Sequence, residues 1–215
     1  MRGFALAIVI ALVVCPAASA QQAPRIGRFV VDLHGTVPLF PGDSPALAAS
    51  RNITVTDLPG HGLGVDVGAQ IYLVKWRAMT VGIGGNLMTA RSRSTPPAPA
   101  AGQASTGQPV VERFTSLAPQ LSFNFGNGYG WSYLSGGISR ATWFIEPDGA
   151  TATAADEEKI KTINYGGGAR WFKKKHVGFS FDIRFYAINP GTPNGTLGGS
   201  PRTRLLVIGA GVSVK

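Results

Sequence analysis

Val177-Gly-Phe-Ser-Phe-Asp-Ile-Arg-Phe-Tyr186 is the stretch whose reading decides the fold. Val177, Phe179, Phe181, Ile183 and Phe185 form one row. Gly178, Ser180, Asp182, Arg184 and Tyr186 form the other. Alternation with a period of two describes a β-strand whose faces meet unlike surroundings. The same split recurs elsewhere. Leu63, Val65, Val67, Ala69, Ile71 and Leu73 oppose Gly64, Asp66, Gly68, Gln70 and Tyr72. Met79, Val81, Ile83, Gly85 and Leu87 oppose Thr80, Gly82, Gly84, Asn86 and Met88. Leu206, Ile208, Ala210, Val212 and Val214 oppose Val207, Gly209, Gly211 and Ser213. A soluble sandwich would bury the apolar row and display Lys, Glu and Thr. Here the polar row is rich in glycine, serine and amides, which suits the confined interior of a narrow barrel. The apolar row then faces lipid.

Working outward, period-two reading yields eight strands, at 28–37, 62–74, 77–91, 111–125, 129–143, 160–172, 176–187 and 204–215. Several reach or exceed the roughly 9–11 residues a tilted membrane-crossing strand needs. Their connections alternate. Short turns fall at Lys75-Trp76-Arg77, Gly126-Asn127-Gly128 and Lys173-Lys174-Lys175, whereas 38–61, 92–110, 145–159 and 188–203 are long. Short turns on one side and long loops on the other are the pattern of outer-membrane barrels, whose long loops are extracellular. An even strand number returns both termini to the short-turn side. The predicted architecture is all-β: an eight-stranded antiparallel up-and-down transmembrane barrel, one domain over 21–215. The segment 92–109, containing Ser94-Thr95-Pro96-Pro97-Ala98-Pro99, is of low complexity and reads as a solvated spacer.

The N-terminus reads as a secretory signal peptide over 1–20. Arg2 gives a positive start, Phe4 through Val14 an apolar run, and Ala18-Ser19-Ala20 a small-residue cleavage site. The run is short of the roughly 20 residues of a membrane-spanning helix. Val14 stands where lipidation at Cys15 needs a small residue. Cys15 is the only cysteine, and its loss with the signal excludes a disulfide framework and cysteine metal sites. Loss of Arg2 takes the formal charge from +9 to +8. Export and the absence of one basic stripe exclude nucleic acid as the partner. Charges gathered at strand ends suit two membrane surfaces instead.

The predicted lumen set is Asp32, His34, Asp66, Glu112, Arg170, Asp182 and Arg184. Charges in so narrow an interior require pairing. They read as a salt-bridged plug or, alternatively, as a gate or small ion path. Aromatic residues at strand ends predict membrane-interface girdles. Trp76, Tyr129, Trp131, Trp171 and Phe172 lie beside the short turns, and Phe114, Trp143, Phe144, Phe185 and Tyr186 near the other ends. No spacing characteristic of catalysis, cofactor binding or metal ligation is present. A triad assembled from distant strands is the one catalytic arrangement left open, with His34 as its base.

Tyr133-Leu-Ser-Gly-Gly-Ile-Ser139, Asn164-Tyr-Gly-Gly-Gly-Ala-Arg170 and Phe181-Asp-Ile-Arg-Phe-Tyr186 carry a resemblance, with the strand and loop pattern of nearly the whole mature chain. The sequence resembles the small outer-membrane β-barrel families typified by the OmpA transmembrane domain and OmpX-like proteins. The resemblance implies a place in the Gram-negative cell envelope, membrane lipid as a partner and an extracellular partner met through the loops. It also implies a non-enzymatic structural or surface role. The alternatives are a narrow porin-like channel for small solutes and a soluble periplasmic lipocalin-like binder. The chain departs from these families at its end, Val212-Ser-Val-Lys215, where they often carry an aromatic residue.

Overall fold

The computed structural model describes residues 23–96, 101–102, 107–149, 157–194 and 197–215. The signal-peptide reading lies outside them. Eight strands follow in chain order: β1 (Phe29–Leu39), β2 (Gly62–Trp76), β3 (Met79–Arg93), β4 (Val110–Asn127), β5 (Gly130–Pro147), β6 (Glu157–Trp171), β7 (Val177–Ile188) and β8 (Thr203–Val214). Each pairs antiparallel with the next, and β8 pairs back to β1, so the sheet has no edge. Closure satisfies every backbone group the ladder can reach, which a strand crossing hydrocarbon requires. Among the described residues no helix is long and apolar enough to cross a membrane.

The alternation holds as read. In β7 the odd-numbered aromatic row is outward and exposed, while Ser180, Asp182, Arg184 and Tyr186 are buried inside. The apolar rows of β2, β3 and β8 also face out. This inverts a soluble protein: large apolar side chains cover the outside and polar ones fill the centre.

Boundaries differ from the sequence reading chiefly at the long-loop end. β5 continues to Pro147, and β6 begins at Glu157, because pairing persists through Val110↔Pro147, Glu112↔Ile145 and Trp143↔Glu158. Apart from Phe144, the outward residues there are polar (Arg140, Thr142, Glu157, Lys159 and Lys161), so these strands run beyond the continuous apolar rows. At the short-turn end, the bends fall at Arg77-Ala78 and Gly128-Tyr129, one or two residues later than predicted. Arg77 takes φ 52°, and the Asn127 carboxamide accepts from the Tyr129 N–H at 2.9 Å. The loop between β1 and β2 is not featureless. It holds a six-residue helix α1 (Pro45–Ser50) and a single 3-10 turn over Val55–Asp57. Ser44 caps α1 by accepting from the Leu47 N–H, and Pro45 opens it.

Candidate functional site

The interior is filled in three tiers. The middle tier is polar and holds six of the seven predicted lumen residues. Arg170 on β6 donates to Asp32 on β1 through Nε at 2.9 Å and Nη2 at 2.6 Å. Ser213 donates to the same carboxylate at 2.6 Å. Arg184 on β7 donates to both Asp182 oxygens, to Gln120, Asn164 and Ser135, while Tyr133 donates to Asp182 at 2.7 Å. Asp66 accepts from Asn86 at 2.6 Å. Each guanidinium is thus paired and hydrogen-bonded, the condition for keeping a charge in a low-dielectric interior. The pairing across the barrel depends on closure, because Asp32 and Arg170 belong to strands that are not neighbours, whereas Arg184 and Asp182 meet along β7 itself. The void left beside these groups measures about 10 Å³, room for about one water molecule.

Glu112 stands apart from that network. It lies in the upper tier, where its Oε1 accepts from the Trp143 indole at 2.8 Å. Trp143 belongs to an apolar cluster with Met88, Phe114, Ile160, Ile188 and Leu205 from the strands and Phe40, Leu47, Ala48 and Leu58 from the β1–β2 loop. The first long loop therefore folds into the barrel mouth at the long-loop end and helps to close it. A buried ion pair holds it there, Arg51 Nη2 to Glu158 Oε2 at 2.7 Å. Arg51 also donates to the Gly198 carbonyl, and Glu158 accepts from the Ser200 N–H. Beside this pair a polar cleft of about 260 Å³ opens among Arg51, Glu157, Lys159, Thr192 and Asn194.

The lower tier is aromatic. Trp131 stacks on Phe172 with centroids 4.8 Å apart, and Tyr72 meets Trp131 edge-on. Lys215 lies across them, its ammonium 4.1 Å from the Phe172 centroid and bonded to the Gly128 carbonyl. Partial burial draws its pKa down. Lys215 is thus a cation capping an aromatic plug.

Three interface aromatics need correction. Trp131, Trp143 and Tyr186 are only 3%, 1% and 0% exposed and point into the barrel. Nearness to a strand end fixes height along the barrel, but parity fixes the side. Trp131 shares its parity with Tyr133 and Ser135, Trp143 with Ile145, and Tyr186 with Arg184. Phe114 and Phe172 are likewise interior. Trp76, Tyr129 and Trp171 do face outward at the short-turn end, at 64%, 63% and 45% exposure, as a headgroup-level girdle requires.

One arrangement has the composition of a catalytic triad. His34 Nε2 lies 2.7 Å from Ser180 Oγ, and its Nδ1 lies 3.6 Å from Asp66 Oδ1. The second distance exceeds a hydrogen bond. Ser180 is in register with Arg170 on one side and Gly211 on the other, so nearby backbone N–H groups point along the sheet. None is turned inward as an oxyanion hole. The small void beside these residues has no room for a substrate.

The described residues thus make a closed barrel with an apolar outside, a packed polar centre and loops gathered at one end. The chain has the fold of a small outer-membrane β-barrel. Neisserial surface protein A shares this fold with a TM-score of 0.53 and 14% identity, covering 88% of this chain and 97% of that one. Two weaker likenesses are Ail of Yersinia pestis, solved with the heparin analogue sucrose octasulfate, and the outer membrane protease OmpT of Escherichia coli. Ail has a TM-score of 0.46 at 10% identity, covering 86% of this chain and 95% of that one. OmpT has 0.43 at 8% identity, covering 86% and 96%. No family model and no curated protein sequence matches the chain.

Proposed function

We propose that this chain is a sealed outer-membrane barrel that performs no chemistry, conducts no solute and serves to hold a structured loop surface outside the cell. The observation that carries this reading is the filling of the lumen at three heights. A conducting pore needs a continuous wet path, and eight strands leave little room beyond side chains. The polar centre contains the charges a gate would use, but each arginine is committed to a carboxylate. Among the described residues, the serine that meets a histidine, Ser180, is buried and out of reach of a substrate. What is left for recognition is the extracellular end, where the first loop is anchored by burial. The polar cleft beside Arg51 and Glu158 offers a partner both charged and hydrogen-bonding groups.

Planar-bilayer recording tests this directly. The refolded protein is expected to stay silent at 100 mV, and reproducible single-channel steps would overturn the sealed reading. Fractionation of the producing cell checks the setting: recovery with the outer membrane is expected, and recovery in soluble periplasm would replace it with the lipocalin-like alternative.

A further inference from the structure

Two like-charged pairs stand face to face on the outer wall near the extracellular rim. Arg91 is in register with Arg113, and Arg140 with Lys161. All four are exposed. Like charges at directly opposed positions weaken a sheet, so each pair needs something to offset it. The first pair has relief within the chain. Arg113 approaches Glu146 at 3.9 Å and lies over the Phe144 ring at 5.5 Å. Arg140 and Lys161 have no acidic partner among the described residues, and Lys159 adds a third cation on the same face.

Below that second pair the wall is hollowed. Ile138 faces Ile163, then Gly136 faces Tyr165. From there a groove of about 800 Å³ descends the lipid-facing surface. Leu121 and Phe123 bound one side, Ile183 and Phe185 the other, and Gly136 and Gly167 form its floor. A side chain cannot fill it from Gly167, where an added Cβ would stand 2.5 Å from the Tyr133 carbonyl oxygen.

The spacing of cations and groove fits one kind of molecule. Gly136 is four residues from Arg140, and Ser132 at the lower end is eight. At about 3.4 Å per residue and a tilt of about 45°, the groove spans depths of roughly 10 to 19 Å below the cations. Half of the hydrocarbon layer is about 15 Å. The groove thus lies where the distal part of an outer-leaflet acyl chain runs when its headgroup is level with Arg140. A phosphate presents several charged oxygens and can accept from both cations at once.

Building on the membrane setting above, we propose that Arg140, Lys161 and the Gly136–Gly167 groove form one binding site for an outer-leaflet phosphoglycolipid. Its phosphate bridges the two cations, and one of its acyl chains lies in the groove.

Purified barrel in detergent is titrated with lipid A, with lipid A stripped of phosphate, and with inorganic phosphate, using native mass spectrometry to count bound molecules. The site predicts saturable binding of one lipid A, loss of at least tenfold in affinity in R140Q/K161Q, and less than threefold in the control R91Q/R113Q. Ser132→Leu, which crowds the lower groove while leaving the cations intact, is expected to weaken lipid A about threefold or more. Removing the lipid phosphate reproduces the double-variant loss. Inorganic phosphate binds at least 100-fold more weakly than lipid A, because it lacks the chain. Equal losses in both double variants would reduce the effect to general surface charge and overturn the site, as would an affinity for inorganic phosphate matching that for lipid A. Membrane-recovered protein with unaltered variants refutes this site alone, whereas recovery of the wild type in the soluble fraction refutes the membrane setting with it.

Discussion

Replacing Asp32 by alanine strands a guanidinium inside the barrel. Arg170 makes two short bonds to that carboxylate, at 2.9 and 2.6 Å, and both residues are buried. Breaking a buried pair by removing one partner costs roughly 3–5 kcal/mol, since the other charge stays desolvated and unpaired. Arg170 cannot shed its proton, but it retains the Tyr133 ring, whose centroid lies 3.8 Å from its Cζ. That contact persists in the variant and favours the lower bound, about 3 kcal/mol. With a urea slope of about 2 kcal/mol/M, the midpoint falls by about 1.5 M. The double variant Asp32→Leu/Arg170→Met removes both charges and keeps apolar volume, so it should return to within about 1 kcal/mol of the wild type. Equilibrium urea unfolding in lipid vesicles, read by the gel shift of folded against boiled barrel, measures all three proteins. A single variant within 1 kcal/mol of the wild type, or a double variant no better than the single, would refute the claim that the lumen is held by paired charge.

Four further outcomes follow from named contacts. In single-tryptophan variants, brominated lipids should quench Trp76 and Trp171 strongly and leave Trp131 and Trp143 almost untouched; quenching of the latter two would reverse their inward assignment. Glu158→Gln removes the charge that holds Arg51, so trypsin cleavage after Arg51 in intact vesicles should rise at least tenfold, and unchanged protection would show that the apolar contacts suffice. A Cβ at Gly168 would stand 1.9 Å from the Phe181 carbonyl oxygen, whereas one at Gly35 meets nothing within 4 Å. Gly168→Ala should therefore block refolding or cost more than about 3 kcal/mol, with Gly35→Ala within about 0.5 kcal/mol in the same urea assay. A fluorophosphonate probe should leave native protein unlabelled, and labelling that vanishes in Ser180→Ala would make the buried Ser-His-Asp arrangement a working one.

The sequence carried the wall of this barrel better than its filling. Alternation in β2, β3, β7 and β8 assigns inside and outside correctly because every outward position answers to one solvent, lipid. Strand ends were harder. β5 and β6 outlast their apolar rows, and hairpin pairing such as Thr142↔Lys159 continues where no hydrophobic pattern marks it. The inward place of Trp131 was available from parity, yet proximity to a turn suggested a girdle. The helix α1 also had a local sign, Ser44 before Pro45, within a stretch otherwise resembling a loop. The Asp32–Arg170 pair had none. It joins positions 138 apart, and its existence depends on closure and on the register of intervening strands.

The three fillings have unequal mechanical consequences. The central charges hold strands together across the barrel and say little about the surface. The upper tier is different, because part of it belongs to a loop. Phe40, Leu47 and Leu58 are buried against the strands, and each is worth roughly 1.5–3 kcal/mol when taken from water. Lifting the loop exposes all three and breaks the Arg51–Glu158 pair, so an opening free energy on the order of 5 kcal/mol is a conservative figure. At that value about one molecule in several thousand is open at a time. If the proposed loop surface recognises a partner, it does so as a surface formed beforehand, and substitutions at Leu47 or Leu58 should weaken that binding by loosening the surface although both side chains are buried.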